Sequence, residues 1–316
     1  MNKQRIIALS GGVGGAKLAD GLMRASDDIN LTLVVNTGDD FSHLGLHISP
    51  DIDTALYTLS DLANPETGWG RRDETWSFMQ TLKQLNGETW FLLGDRDLAL
   101  HVTRTQLLAA GQSLSSITNN LAQSLGINVQ VLPMSNDAVR TWVHTDSGAL
   151  EFQHYFVREQ CRPKVKHIEF RGAAEAQPSP EVSNALQDPN LGAIILCPSN
   201  PYLSMAPILA IPGLREQLRA AGVPIIAVSP LVGGEAVKGP TTKIMAELEL
   251  PVSALQIVEH YADLIDGFVL DQRDAHLAEQ IHIPTLITDT LMKTQADRIR
   301  VATETLTFAN TLKSQQ

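Results

Sequence analysis

Apolar residues along this chain fall into short β-branched runs separated by stretches of helical period. Ile6-Ile7-Ala8-Leu9 is one such run, and it ends at once in Ser10 and glycines, as a buried strand does. Ala16 to Ala25 then has helical character, and Leu31-Thr32-Leu33-Val34-Val35 is a second run that ends in Asn36-Thr37-Gly38-Asp39-Asp40. Strand, helix and strand within this length make a βαβ unit and predict a parallel sheet. The rhythm returns late. Ala193–Leu196, Ile225–Val228, Phe268–Leu270 and Thr285–Ile287 read as strands, with helices over Leu214–Ala221, Thr241–Leu248, Ala254–Ile265 and Ala296–Leu312. Between the two ends, Trp76 to Leu125 is mostly helical, with Ser113 as a helix cap. Thr141–Thr145 and Leu150–Val157 flank Asp146-Ser147-Gly148 as a β-hairpin. The pattern predicts an α/β protein with a doubly wound, mostly parallel, Rossmann-like sheet. Residues 1–65 and 175–316 form the core, and 66–174 form an inserted α+β subdomain of mixed helix and hairpin.

Composition narrows the partners. Hydrophobic residues make up 43% and charged residues 19% of 316, as in a soluble globular protein. The formal net charge of −11 argues against nucleic-acid or anionic-membrane binding, both of which need a basic surface. An anionic small molecule therefore requires donors concentrated at one place. Two cysteines, Cys161 and Cys197, are too few for a disulfide framework and lack metal-site spacing. Ile6–Leu9 is too short for a signal-peptide core, and no apolar stretch approaches the ~20 residues of a membrane span, so the cytoplasm is expected.

Candidate chemistry gathers at the ends of the expected strands. Ser10-Gly11-Gly12-Val13-Gly14-Gly15-Ala16-Lys17 lies between the first strand and the first helix, where glycines admit a ligand and a helix N-terminus suits phosphate. A tight turn without a ligand is the other reading. The spacing fits neither G-x-G-x-x-G, whose last position would be Lys17, nor a P-loop. Asp39, Asp40, Asp51 and Asp53 fall within fifteen positions, with Ser49 and Pro50 opening a helix before the last two. These are either ordinary helix N-terminal acids or hard oxygen ligands for Mg²⁺ beside a phosphate site, and residue chemistry leaves both readings open. Arg96, in Gly94-Asp95-Arg96-Asp97, is either a satisfied ion pair or a fork for an acidic group. Pro198-Ser199-Asn200-Pro201 stiffens a loop that presents the Ser199 hydroxyl and Asn200 amide.

In their order, the glycine turn, Asn36–Asp40, Ile48–Thr54, Gly68-Trp69-Gly70, Leu93–Asp97, Pro198–Pro201 and Val228-Ser229-Pro230 resemble the 2-phospho-L-lactate transferase family of coenzyme F-420 biosynthesis. The resemblance runs to about Asp274. Cys197, where that pattern has glycine, and the threonines after Lys238-Gly239-Pro240 depart from it. It implies an Mg²⁺-dependent enzyme that moves 2-phospho-L-lactyl or enolpyruvyl phosphate from a guanosine diphosphate-linked acid to the deazaflavin Fo, releasing GMP. It further implies a homodimer and catalytic, Fo-contacting roles for Asp53 and Arg96. Donor phosphates would lie near Gly12, Gly14 and Gly15, and the metal among Asp39, Asp40, Asp51 and Asp53, with Asp53 also as proton acceptor. The competing readings are a non-catalytic, nucleotide-sugar-binding regulator of the gluconeogenesis-factor type and a nicotinamide dehydrogenase. The intact Pro50–Asp53 and Gly94–Asp97 segments argue against the first, and Lys17 argues against the second.

Overall fold

A computed structural model describes residues 3–314. Seven strands form one central sheet: β1 (Gln4–Ser10), β2 (Ile29–Val35), β3 (Gln130–Pro133), β4 (Leu191–Leu196), β5 (Ile225–Val228), β6 (Gly267–Asp271) and β7 (Thr285–Thr288). Their order across the sheet is β7-β6-β5-β4-β1-β2-β3, and every neighbouring pair is parallel. The expected doubly wound α/β plan is therefore the one formed. Its order reverses between β1 and β4, the position at which open α/β sheets leave a crevice beyond their carboxyl ends.

The apolar runs are continuous because both faces of the sheet are covered. Ile6 and Ala8 pack with Leu18 and Leu22 of α1 (Gly12–Ala25) and with Val301 and Ala302 of the C-terminal helix Gln295–Lys313. Ile7 and Leu9 face the opposite core, with Val143, Tyr155 and Ile208. Adjacent β1 residues thus serve different layers, as the two-residue period of a strand requires.

Three features differ from the sequence expectation. The outermost strand β3 comes from within 66–174, so that stretch is not wholly separate from the central sheet. The rest of it holds α3 (Ser77–Gln84), α4 (Asp95–Ala109), α5 (Leu114–Ser124) and a three-stranded antiparallel sheet of Gly148–Glu151, Arg140–Thr145 and Val165–Arg171. The hairpin forms at Asp146-Ser147, but its second strand stops at Glu151, and His154–Arg158 coils into a π-helical turn. Phe152 and Tyr155 explain the change. Both are buried and three residues apart, a spacing that a strand would send to opposite faces and a helical turn keeps together. Ser49 precedes α2 (Pro50–Leu59), with Pro50 in its first turn, yet its hydroxyl donates to Asp40 and does not cap the helix. No helix among the described residues is long and apolar enough to cross a membrane.

Candidate active site

The crevice at the β1/β4 switch point opens into a cavity of about 670 Å³. Its floor is the glycine turn. Gly12 takes φ +64°, a left-handed conformation that glycine adopts without penalty, and its N–H donates to Asp51 Oδ1 at 2.8 Å. Gly14 and Gly15 are small for a different reason. A side chain on Gly14 would meet the Pro198 carbonyl at 2.4 Å, and one on Gly15 the Ser199 hydroxyl at 2.5 Å. These two glycines let α1 start against the loop after β4. Ser199 in turn accepts the Gly11 N–H at 3.1 Å, and the Asn200 side-chain oxygen accepts from the Tyr202 and Leu203 amides at 2.9 and 3.1 Å.

The four aspartates of the expected metal set have separate fates. Asn36, fully buried, donates one amide to both Asp39 Oδ1 at 3.0 Å and Asp51 Oδ2 at 2.9 Å. Burial and the neighbouring Asp51 charge push the Asp39 carboxyl well above the usual carboxylate range. Burial likewise pushes Asp51 up to about 6, against the hydrogen bonds from Asn36 and Gly12. Asp40 turns away, accepting from Ser49 Oγ at 2.8 Å and meeting His47 Nε2 at 3.0 Å, while its Oδ1 is buried without a partner. Among the described residues no three His, Cys, Asp or Glu side chains are placed to share one metal ion. Of the four, Asp39 and Asp51 remain as a buried carboxylate pair on the cavity wall without a cationic partner among the described residues. That donor set suits Mg²⁺, which takes one or two carboxylates and completes its shell with water and phosphate.

Asp53 is neutralised instead. Arg104, fully buried in α4, grips it through both guanidinium nitrogens, Nη1 lying 3.2 Å from Asp53 Oδ2. Burial raises the Asp53 carboxyl, with Arg104 and His101 working against it. His101 Nδ1 stands 3.6 Å from Asp53 Oδ2 and its Nε2 2.9 Å from Asp97 Oδ2, while Tyr57 donates to Asp97 Oδ1 at 2.5 Å. Burial would raise Asp97, but His101 and Tyr57 hold it below the usual range. Asp53, Tyr57, Asp97 and His101 all line the cavity. Arg96 is placed elsewhere. Its side chain is exposed, is not in ion-pair contact with a carboxylate among the described residues, and lies outside the cavity lining. Its flanking aspartates are occupied, Asp95 by Thr75, Ser77 and Phe78 and Asp97 by His101 and Tyr57.

Six aromatic side chains also line the cavity: Trp69, Trp76, Trp90, Phe91, Phe152 and Phe156. Trp69 is 53% exposed and Trp76 42%, so apolar surface stands open at the mouth. The lining therefore combines acidic groups with flat apolar faces.

The model of the family described as 2-phospho-L-lactate transferase CofD matches residues 6–307. The chain belongs to this family. A phosphoenolpyruvate transferase of Streptomyces griseus is 40% identical over 299 residues, covering 90% of this chain and 93% of that protein. A 2-phospho-L-lactate transferase of Methanosarcina mazei is 39% identical over 269 residues, covering 85% and 88%. A solved structure from Bacillus halodurans, described as a member of the UPF0052 family, shares the fold with a TM-score of 0.64 at 15% identity, over 96% of this chain and 98% of that one.

Several residues in and around the cavity were given no role by the sequence reading. Arg104 gave no motif signal, since its partner Asp53 is 51 residues away. Asn36 was in view only as part of a turn. Lys17 and Lys238 line the cavity, although Lys17 entered the sequence reading only as a mismatch to a nucleotide fingerprint.

Proposed function

We propose that this chain transfers a 2-phospho-L-lactyl or enolpyruvyl phosphate group from a guanosine diphosphate-linked acid to the deazaflavin Fo, releasing GMP, in coenzyme F-420 biosynthesis. The observation that carries the reading is one cavity, in a chain of this family, lined both by a carboxylate pair without a cationic partner among the described residues and by aromatic side chains. The terminal ribityl hydroxyl of Fo attacks the phosphorus bearing the acid, the bond from that phosphorus to GMP breaks, and the hydroxyl proton passes to Asp53. Arg104 orients the Asp53 carboxylate, and Asp97 orients His101 beside it. Asp39 and Asp51 would hold Mg²⁺, which supplies charge neutralisation to the donor phosphates. The flat deazaflavin ring fits the aromatic side chains, and positioning with charge stabilisation carries the catalysis, as in other phosphoryl transfers.

The test incubates purified protein and Mg²⁺ with Fo and each guanosine diphosphate-linked acid in turn, following products by mass. GMP and a phospho-acid ester of Fo are expected together from at least one donor. Folded protein that makes neither from any of them overturns the reading.

A further inference from the structure

Five carboxylates line the cavity (Asp39, Asp51, Asp53, Glu74 and Asp97) against two lysines, Lys17 and Lys238. Both lysines carry spare capacity. Lys17 Nζ donates to the Met292 carbonyl at 2.9 Å and Lys238 Nζ to the Thr67 carbonyl at 2.6 Å, and neither is in ion-pair contact with a carboxylate among the described residues. An ammonium has three donors, so each retains two. Lys17 is half-buried in α1, one turn beyond the glycines. Burial, together with the charges of Arg298 and Lys238, pulls its ammonium below the usual range.

Lys238 reaches the same place from the far side of the crevice, on the loop after β5. Gly68 makes room for it: a side chain there would stand 2.4 Å from Lys238 Nζ and 3.8 Å from Val13 Cγ1. The Thr67 carbonyl thus holds Lys238 over the first turn of α1, whose opening amides have no acceptor within the helix. Gly14 and Gly15, by contrast, are consumed by packing against Pro198 and Ser199, so the glycine turn by itself offers little cradle.

We infer that Lys17 and Lys238 form a two-cation clamp for the diphosphate of a nucleoside diphosphate ligand, held across the first turn of α1 by the loop at Thr67-Gly68. This deepens the function proposed above and rests on its nucleotide donor. Two flexible ammonium groups suit a diphosphate, whose charge is spread over several oxygens, better than a single planar carboxylate. In an acid-rich cavity they supply the local attraction that a net charge of −11 denies.

The experiment measures binding of GDP and of guanosine by calorimetry in Mg²⁺ buffer, for wild type, Lys17→Met, Lys238→Met and Gly68→Ala. Each methionine variant is expected to weaken GDP on the order of ten- to hundredfold while guanosine stays within about twofold. Gly68→Ala, which leaves both lysines in place but crowds Lys238 and strains a backbone held at φ +72°, is expected to reproduce part of the Lys238→Met loss. Thermal unfolding of each variant guards against a folding defect. Unchanged GDP affinity in both methionine variants, or an equal fall for GDP and guanosine, overturns the clamp and leaves the transferase reading standing. Wild-type protein that binds neither ligand overturns the nucleotide donor itself, and the clamp with it.

Discussion

Asp51 and Asp53 stand two residues apart in the first turn of one helix, and the fold treats them oppositely. Asp51 shares a single Asn36 amide with Asp39 and meets no cation among the described residues. Asp53 is gripped by a fully buried guanidinium. Both carboxyls are raised by burial, but only Asp53 has its charge balanced by protein. The first arrangement is costly until a cation arrives; the second is complete without one. The difference teaches that aspartates clustered in sequence need not share one fate in space: the fold balances one of them and leaves another unbalanced.

Metal removal gives the largest expected effect. Turnover should vanish after chelation and return with Mg²⁺, because Asp39, Asp51 and a donor diphosphate repel one another without a cation. Full turnover with metal content measured as negligible would erase the distinction between the two pairs. Arg104→Met comes next. It strands the buried Asp53 charge and should cost about 3–5 kcal/mol in denaturant unfolding, much of it recovered by adding Asp53→Asn. A wild-type midpoint for Arg104→Met would mean that Asp53 does not depend on this arginine.

Asp39→Asn should act with the opposite sign. In metal-free protein near neutral pH it removes one of two crowded carboxylates and keeps an oxygen for Asn36, so stability should rise on the order of 1 kcal/mol while turnover with Mg²⁺ falls. A clear loss of metal-free stability would show that the pair is already balanced. The smallest effect belongs to Arg96→Lys. With the side chain exposed and outside the cavity lining, ~0–1 kcal/mol is at stake, and kcat/KM should change less than about threefold. A ten- to hundredfold drop in steady-state kinetics would restore the Fo contact that the family resemblance implies, and would require the start of α4 to move toward the acceptor.

Much of the architecture was legible beforehand because it is written locally. Six of the seven central strands announced themselves as short apolar runs, those inside the sheet because both of their faces are buried. The seventh, β3, did not, because it ends in Pro133, which suits an edge and weakens any strand signal. The coil at His154–Arg158 was hidden for a similar reason. Its Tyr155-Phe156-Val157 run is rich in strand-forming types, and only the need to bury Phe152 and Tyr155 together decides against a strand.

At the site, the sequence by itself determined which residue types reach the crevice. Glycines after β1 and acids after β2 and at the start of α2 are fixed to strand and helix ends by local period, and the parallel sheet carries those ends to one edge. Only the tertiary structure decided which of them pair. Arg104 and not Arg96 reached Asp53, Gly14 and Gly15 were spent on the loop after β4, and Lys238 was carried to the first turn of α1 by a carbonyl 171 residues earlier. The physical reason is that charge pairing and close packing depend on distances across the fold, which fall off within a few ångströms and leave no trace in the spacing of residues along the chain.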